Sequence, residues 1–258
     1  MRTRLIGTAA IGALALSALA MPVAQADTFR PKDVSEGDTK ITKVVVDGDN
    51  KVAFGTSGAK TVKVSVTATD DSGIKSAEEF SLVGPGAGFE LTGKPTCTKV
   101  NSTTSTCSAS VKIDPKTDYL LNANAGTWYV DAWVTAKDDD YVWEEKAGSF
   151  KFQRAAKLTT DAAPEPVKKG KTLTVTGSLT RANWESLKYG AYGSQSVKLQ
   201  YRKKSADSYT TVKTVKADSK GKLKTTVKAS ADGYYRFSFA GNSTTGAVNA
   251  AGDFVDVK

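Results

Sequence analysis

From residue 41 onwards, hydrophobic and polar residues alternate with a period of two along most of the chain, the spacing of strands that bury one face. Val62, Val64, Val66 and Ala68 share one face, while Thr61, Lys63, Ser65 and Thr67 share the other. Trp128, Val130, Ala132 and Val134 alternate in the same way with Tyr129, Asp131, Trp133 and Thr135. Further strands are predicted at 41–46, 78–83, 95–100, 104–113 and 148–153, with Asp47-Gly48-Asp49-Asn50 as the tight connection after the first. The pattern continues through Leu173, Val175 and Leu179, then Val197, Leu199 and Tyr201, then Leu223, Thr225 and Val227. Tyr235, Phe237 and Phe239 follow, with Val255 and Val257 at the end. No segment repeats at 3.6 residues for three turns. Short strands punctuated by Gly, Asn, Asp and Pro predict an all-β chain of two tandem immunoglobulin-like β-sandwiches joined end to end near Arg154-Ala155-Ala156-Lys157. An internal echo agrees: Gly126-Thr127-Trp128-Tyr129-Val130 and Gly233-Tyr234-Tyr235-Arg236-Phe237 share the order Gly, any, aromatic, any, apolar. In such sandwiches an aromatic residue near the start of strand F precedes an inward position by two.

The first 26 residues follow another grammar. Arg2 and Arg4 precede an apolar stretch from Leu5 to Ala20, and Ala24-Gln25-Ala26 offers a small-x-small cleavage site before Asp27. The stretch is about 16 residues, short of the ~20 a membrane span needs. A cleaved signal peptide over 1–26 and an extracellular location are the expectation. No apolar tail precedes Val257-Lys258, so no membrane anchor is expected.

Charge divides the mature chain. Residues 27–156 hold 16 basic and 19 acidic side chains, a net −3, and residues 157–258 hold 18 and 8, a net +10. The shift supports an acidic first domain over 27–156 and a basic second domain over 157–258. A domain this basic attracts anionic polymers, although lysine on exposed strand faces also serves solubility. Lys198, Gln200 and Arg202 are out of phase with the inward residues of their strand, as are Tyr234 and Arg236 of theirs. Strands C and F are sheet neighbours in this fold, so Lys198, Arg202, Tyr234 and Arg236 are expected to form one exposed ligand-binding patch. A phosphate-bearing cell-wall polymer suits it better than nucleic acid.

The chain contains no histidine and two cysteines, which removes His-based triads, His metal sites and thiolate zinc clusters. Ser-x-x-Lys occurs at Ser57/Lys60, Ser72/Lys75 and Ser219/Lys222, but each pair spans a Gly in a predicted turn rather than a helical one. No catalytic motif joins them, and no catalytic residue is assigned. A strand folding back around Ser102 places Cys97 opposite Cys107, and export would close this pair as a structural disulfide.

An acidic cluster is predicted at one end of the first domain. Val66-Thr67-Ala68-Thr69-Asp70-Asp71 and Val134-Thr135-Ala136-Lys137-Asp138-Asp139 share V-T-A-x-D-D, and Asp140 extends the second. If these are strands B and F, both end at the same pole, with Asp70 and Asp138 in phase with the core. Asp70, Asp71, Asp138, Asp139 and Asp140 are the candidate calcium ligands, calcium being a cation that takes six to eight oxygens. Asp-Asp-Ser-Gly at 70–73 is equally good turn chemistry.

The run Ala162-Ala163-Pro164-Glu165-Pro166-Val167-Lys168-Lys169-Gly170-Lys171 leads into Leu173-Thr174-Val175-Thr176-Gly177. With Leu179-Thr180-Arg181-Ala182-Asn183-Trp184, Val197-Lys198-Leu199-Gln200-Tyr201-Arg202 and Asp232-Gly233-Tyr234-Tyr235-Arg236-Phe237, it resembles a Streptomyces-type family of secreted two-domain proteins of unknown function. The resemblance is most specific in the second domain. It implies an actinobacterial N-terminal β domain and a bacterial Ig-like C-terminal one, and some members carry the label calcium-binding protein. The expectation is a secreted, non-enzymatic binding module for an anionic extracellular or cell-wall polymer. The alternative is a calcium-stabilised structural module without a ligand of its own.

Overall fold

The computed structural model describes residues 33–258; the predicted signal peptide lies outside them. The first half contains strands β1 (Val34–Glu36), β2 (Lys40–Val46), β3 (Lys51–Phe54), β4 (Lys60–Thr69) and β5 (Ile74–Gly84). It continues with β6 (Ala87–Glu90), β7 (Thr92–Lys99), β8 (Thr104–Ile113), β9 (Gly126–Ala136) and β10 (Tyr141–Arg154). One sheet has the order β2-β4-β8-β7 and the other β1-β10-β9-β5-β6, with β3 running parallel to β10. This is an immunoglobulin-like sandwich in which β4 and β9 are strands B and F. The inward phase is the one the alternation gives: Val62, Val64, Val66, Ala68, Trp128, Val130 and Val134 are buried. Trp128 stacks on Phe152 at 4.2 Å between ring centroids, and its indole N–H donates to the Asn124 carbonyl at 2.7 Å.

The second half is built from β11 (Ala156–Leu158), β12 (Asp161–Ala163), β13 (Thr172–Asn183), β14 (Lys188–Ala191) and β15 (Ser196–Lys203). It ends with β16 (Thr210–Lys216), β17 (Lys222–Lys228), β18 (Gly233–Phe239), β19 (Val248–Asn249) and β20 (Asp253–Val255). Here β11, β12, β14 and β17 all pair with β13, opposite a sheet in which β16-β15-β18 is extended by β19 and β20. Leu173, Leu179, Leu199, Tyr235 and Phe237 fill the space between the two sheets. The fold is all-β, with two Ig-like sandwiches.

β7 and β8 pair with Cys97 opposite Cys107, and the two form a disulfide. The flanking register, Thr98 with Thr106 and Thr96 with Ser108, is the fold-back expected around Ser102.

The joint is more than an end-to-end contact. β13 runs beyond the second core and delivers Ala182 and Trp184 into the first, where Tyr189 joins them. Trp184 is buried, meets Phe152 edge-on at 5.7 Å and donates its indole N–H to the Gly55 carbonyl at 2.9 Å. Backbone bonds from Arg154 N to Thr244 O and from Gly246 N to Arg154 O continue the seam. Residues 33–258 lie in one compact unit.

Candidate binding face

β15 and β18 are antiparallel neighbours, pairing Arg202 with Tyr234, Gln200 with Arg236 and Lys198 with Ser238. The four residues of the expected patch therefore lie on one outer face. On it, cations and rings alternate. The Arg236 guanidinium sits 3.8 Å from the Tyr209 ring centroid, and Arg202 lies 5.4 Å from the same ring and 4.0 Å from that of Tyr234. Tyr234 packs on Phe254 at 5.1 Å, and the Lys204 amine stands 5.4 Å from the Phe254 ring. Each contact draws a cation onto the negative face of an aromatic ring and fixes a long side chain that would otherwise be mobile. Arg236 Nε also donates to Gln200 Oε1 and Arg202 Nη1 to the Ala206 carbonyl, both at 2.9 Å. Gly252 makes room for this row, because a Cβ there would lie 2.2 Å from the Tyr209 hydroxyl.

Tyr209, Lys204 and Phe254 escaped the sequence reading. Tyr209 precedes β16 at the end of a turn, where no period assigns a face. Lys198 shares the face but takes no ring contact. Among the described residues no carboxylate forms an ion pair with Arg202 or Arg236. Because cations already cover the ring faces, the row presents guanidinium edges, phenolic hydroxyls and an amine: donors, suited to anionic oxygens.

At the pole where β4 and β9 end, carboxylate oxygens of Asp70, Asp138 and Asp140 lie within 4.8 Å of one another, as do those of Asp38, Asp70 and Asp71. Asp70 is buried in phase with the core and accepts from Thr39 Oγ1 at 2.6 Å and from Ser72 N and Oγ at 2.9 and 2.6 Å. Burial pushes its pKa up, but the hydrogen bonds from Ser72 and Thr39 outweigh this and hold it below the ordinary aspartate value. The pKa of Asp38, beside it, is shifted upward by desolvation first, then by its hydrogen bond to Asp70 and the charge of Asp71.

Asp138 does not keep the inward phase expected of it. β9 stops at Ala136, and a tight turn follows in which Ala136 N bonds the Asp140 carbonyl and Asp139 adopts φ 71°. The turn resets the alternation, so Asp138 is exposed and Asp140 is the half-buried member. Asp139 points away to Lys75 at 2.6 Å and stands in neither group. Asp38 was not foreseen; it enters through the β1–β2 turn, where Gly37 (φ 76°) leaves the space that the Asp140 carboxylate occupies.

The Ser-x-x-Lys pairs do not assemble. Lys60 is held by Asp47 at 2.7 Å and Lys75 by Asp139, while Ser72 Oγ donates to Asp70. Among the described residues no helix is long and apolar enough to cross a membrane.

No protein-family model and no curated protein matches this chain. Among solved structures, three N-terminal domains of the bacteriophage RB49 Highly Immunogenic Outer Capsid protein share 9% identity, covering 85% of this chain and 71% of that one, with a TM-score of 0.30. The D00-D0 domain of intimin gives 11% identity, 83% and 99% coverage and a TM-score of 0.28. The ectodomain of mouse nectin-like molecule 4 gives 13% identity, 87% and 66% coverage and a TM-score of 0.24. Function does not transfer at such distances.

Proposed function

We propose that the protein is an extracellular, non-enzymatic binding module whose second sandwich holds an anionic cell-wall polymer. The observation that carries this reading is the row Arg236, Tyr209, Arg202 and Tyr234, with both arginines fixed on rings and neither paired to a carboxylate. Such a row is set before any ligand arrives, so little side-chain entropy is lost on binding. Its exposed donors favour a chain of phosphodiesters, such as teichoic acid, over a neutral polysaccharide that needs free ring faces. Co-sedimentation with purified cell wall at low salt tests this. The parent pellets with the wall and is released as salt rises, whereas Lys198→Glu/Arg202→Glu/Arg236→Glu stays in solution. Wall binding undiminished in the triple variant would refute it.

The gathering of Asp70, Asp138 and Asp140 favours a second role, calcium bound at the pole of the first sandwich. Calorimetry on chelator-treated protein then records heat and a raised melting temperature at millimolar calcium. Neither signal would leave an acidic turn held together by Thr39 and Ser72.

A further inference from the structure

The seam between the two sandwiches holds a buried hydrogen-bond donor with no acceptor to receive it. Arg154, the last residue of β10, is 7% exposed, and its Nε has no partner. It takes part in no ion pair among the described residues. Its surroundings add a second cation, Arg181, whose charge acts on it more strongly than the opposing charge of Glu185. Burial first, and then the charge of Arg181, bring the Arg154 pKa down to about 10. Arg181 lies 4.1 Å from the Tyr192 ring centroid, and its Nη1 donates to Thr245 Oγ1 at 3.2 Å.

The polar chain runs one way. Thr245 Oγ1 donates onward to the Tyr192 hydroxyl at 3.3 Å, which also accepts from Asn242 Nδ2 at 2.7 Å. With two bonds accepted, Tyr192 Oη still carries a proton that needs an acceptor. Other oxygens nearby are engaged: Asn242 Oδ1 accepts from Thr244, Gln195 Oε1 faces Asn242 Nδ2 at 3.4 Å, and both oxygens of Glu185 face Asn122. A buried guanidinium N–H without an acceptor is costly, so a native fold rarely keeps one without a compensating group.

We infer that Arg154, Arg181 and Tyr192 form a binding site for a small oxyanion, phosphate or a carboxylate, at the seam between the sandwiches. The planar guanidinium forks match such oxygens, and the Tyr192 hydroxyl supplies a third donor. Arg181 and Tyr192 are half-buried and Asn242 is exposed, so the site opens to solvent on their side. Since Arg154 belongs to the first sandwich and Arg181 and Tyr192 to the second, the anion ties one to the other. The site shares no residue with the Arg202–Tyr209 row and stands whether or not that row binds a polymer.

The test titrates inorganic phosphate into the Lys198→Glu/Arg202→Glu/Arg236→Glu protein, whose outer face no longer attracts anions, at constant ionic strength in a calorimeter. The expected result is a saturable heat that weakens at least tenfold in Arg154→Met and in Arg181→Met added to that background. Tyr192→Phe, which keeps the ring under Arg181, weakens it severalfold and covers the case in which an arginine variant fails to fold. Without phosphate, Arg154→Met melts no lower than its background, because an unpaired buried charge is gone. No saturable heat at millimolar phosphate, or heat that survives all three substitutions, would overturn the inference.

Discussion

Replacing Trp184 by alanine tests whether the second sandwich completes the core of the first. The side chain is buried against Phe152, and its N–H satisfies the carbonyl of Gly55. Truncating a fully buried tryptophan costs about 3–5 kcal/mol. That range already contains most of the ring–ring term of about 0.5–1.5 kcal/mol and of the lost hydrogen bond, so the terms are not summed. A loss of about 4 kcal/mol is a large part of the ~5–15 kcal/mol that stabilises a typical domain. The loss falls on the first sandwich, since Trp184 packs in its core and not in the second. Trp128, Trp133 and Trp143, the tryptophans that remain, all belong to the first sandwich, so fluorescence follows it alone while far-UV circular dichroism follows both. In urea the parent unfolds with the two probes coincident; in Trp184→Ala the fluorescence transition moves to lower urea, ahead of the dichroism transition. Trp184→Phe retains most of the bulk but loses the N–H and the rest of the second ring, for a cost of roughly 1–2 kcal/mol. Coincident transitions in the alanine variant, with a loss below about 1 kcal/mol, would show that the second sandwich does not support the first.

Cys97→Ser/Cys107→Ser opens a loop of sequence separation 10 and lowers stability by about 2–3 kcal/mol in the chain-entropy model, read from urea midpoints. Asp70 has a folded pKa below its unfolded value, so its stabilising effect is complete above the ordinary 3.8 and is lost as pH falls through the lower folded value. Asp70→Ala accordingly costs about 1–3 kcal/mol at pH 7 and flattens the acid limb of the melting curve; an unchanged limb would contradict this. Gly37→Ala forces a Cβ into the Asp140 carboxylate at a positive φ and costs more than about 1 kcal/mol of stability, read as a lower melting temperature.

Period-two alternation was enough to place β4, β9, β15 and β18 and to choose their inward faces, because each packs one side on a core. The disulfide register followed from counting along one hairpin. Lys198, Arg202, Tyr234 and Arg236 could be grouped for a similar reason: adjacent strands of known phase share a face. What the pattern could not supply came from turns and from contacts distant in sequence. The 137–140 turn interrupts the phase that would have buried Asp138, and Asp38 reaches the pole from a segment with no alternation. Trp184, Tyr189 and Thr245 meet residues of the first sandwich or its last strand across long separations, and no local spacing encodes such a meeting.

Lys213, on the edge strand β16, has a consequence for how the molecule behaves at high concentration. Its amine crosses to the opposite sheet and donates to Thr225 Oγ1 and to the backbone carbonyl of Thr226, at 3.0 and 2.9 Å. β16 and β17 are both sheet margins, and a free carbonyl on such a margin is what an arriving strand uses to begin pairing. Here that acceptor is already taken by a charged group, and Lys216, Lys222 and Lys224 stand nearby along the same two strands. Two copies that approach margin to margin meet like charges and an engaged backbone, so this side of the sandwich resists fibril-like stacking and keeps crowded molecules apart.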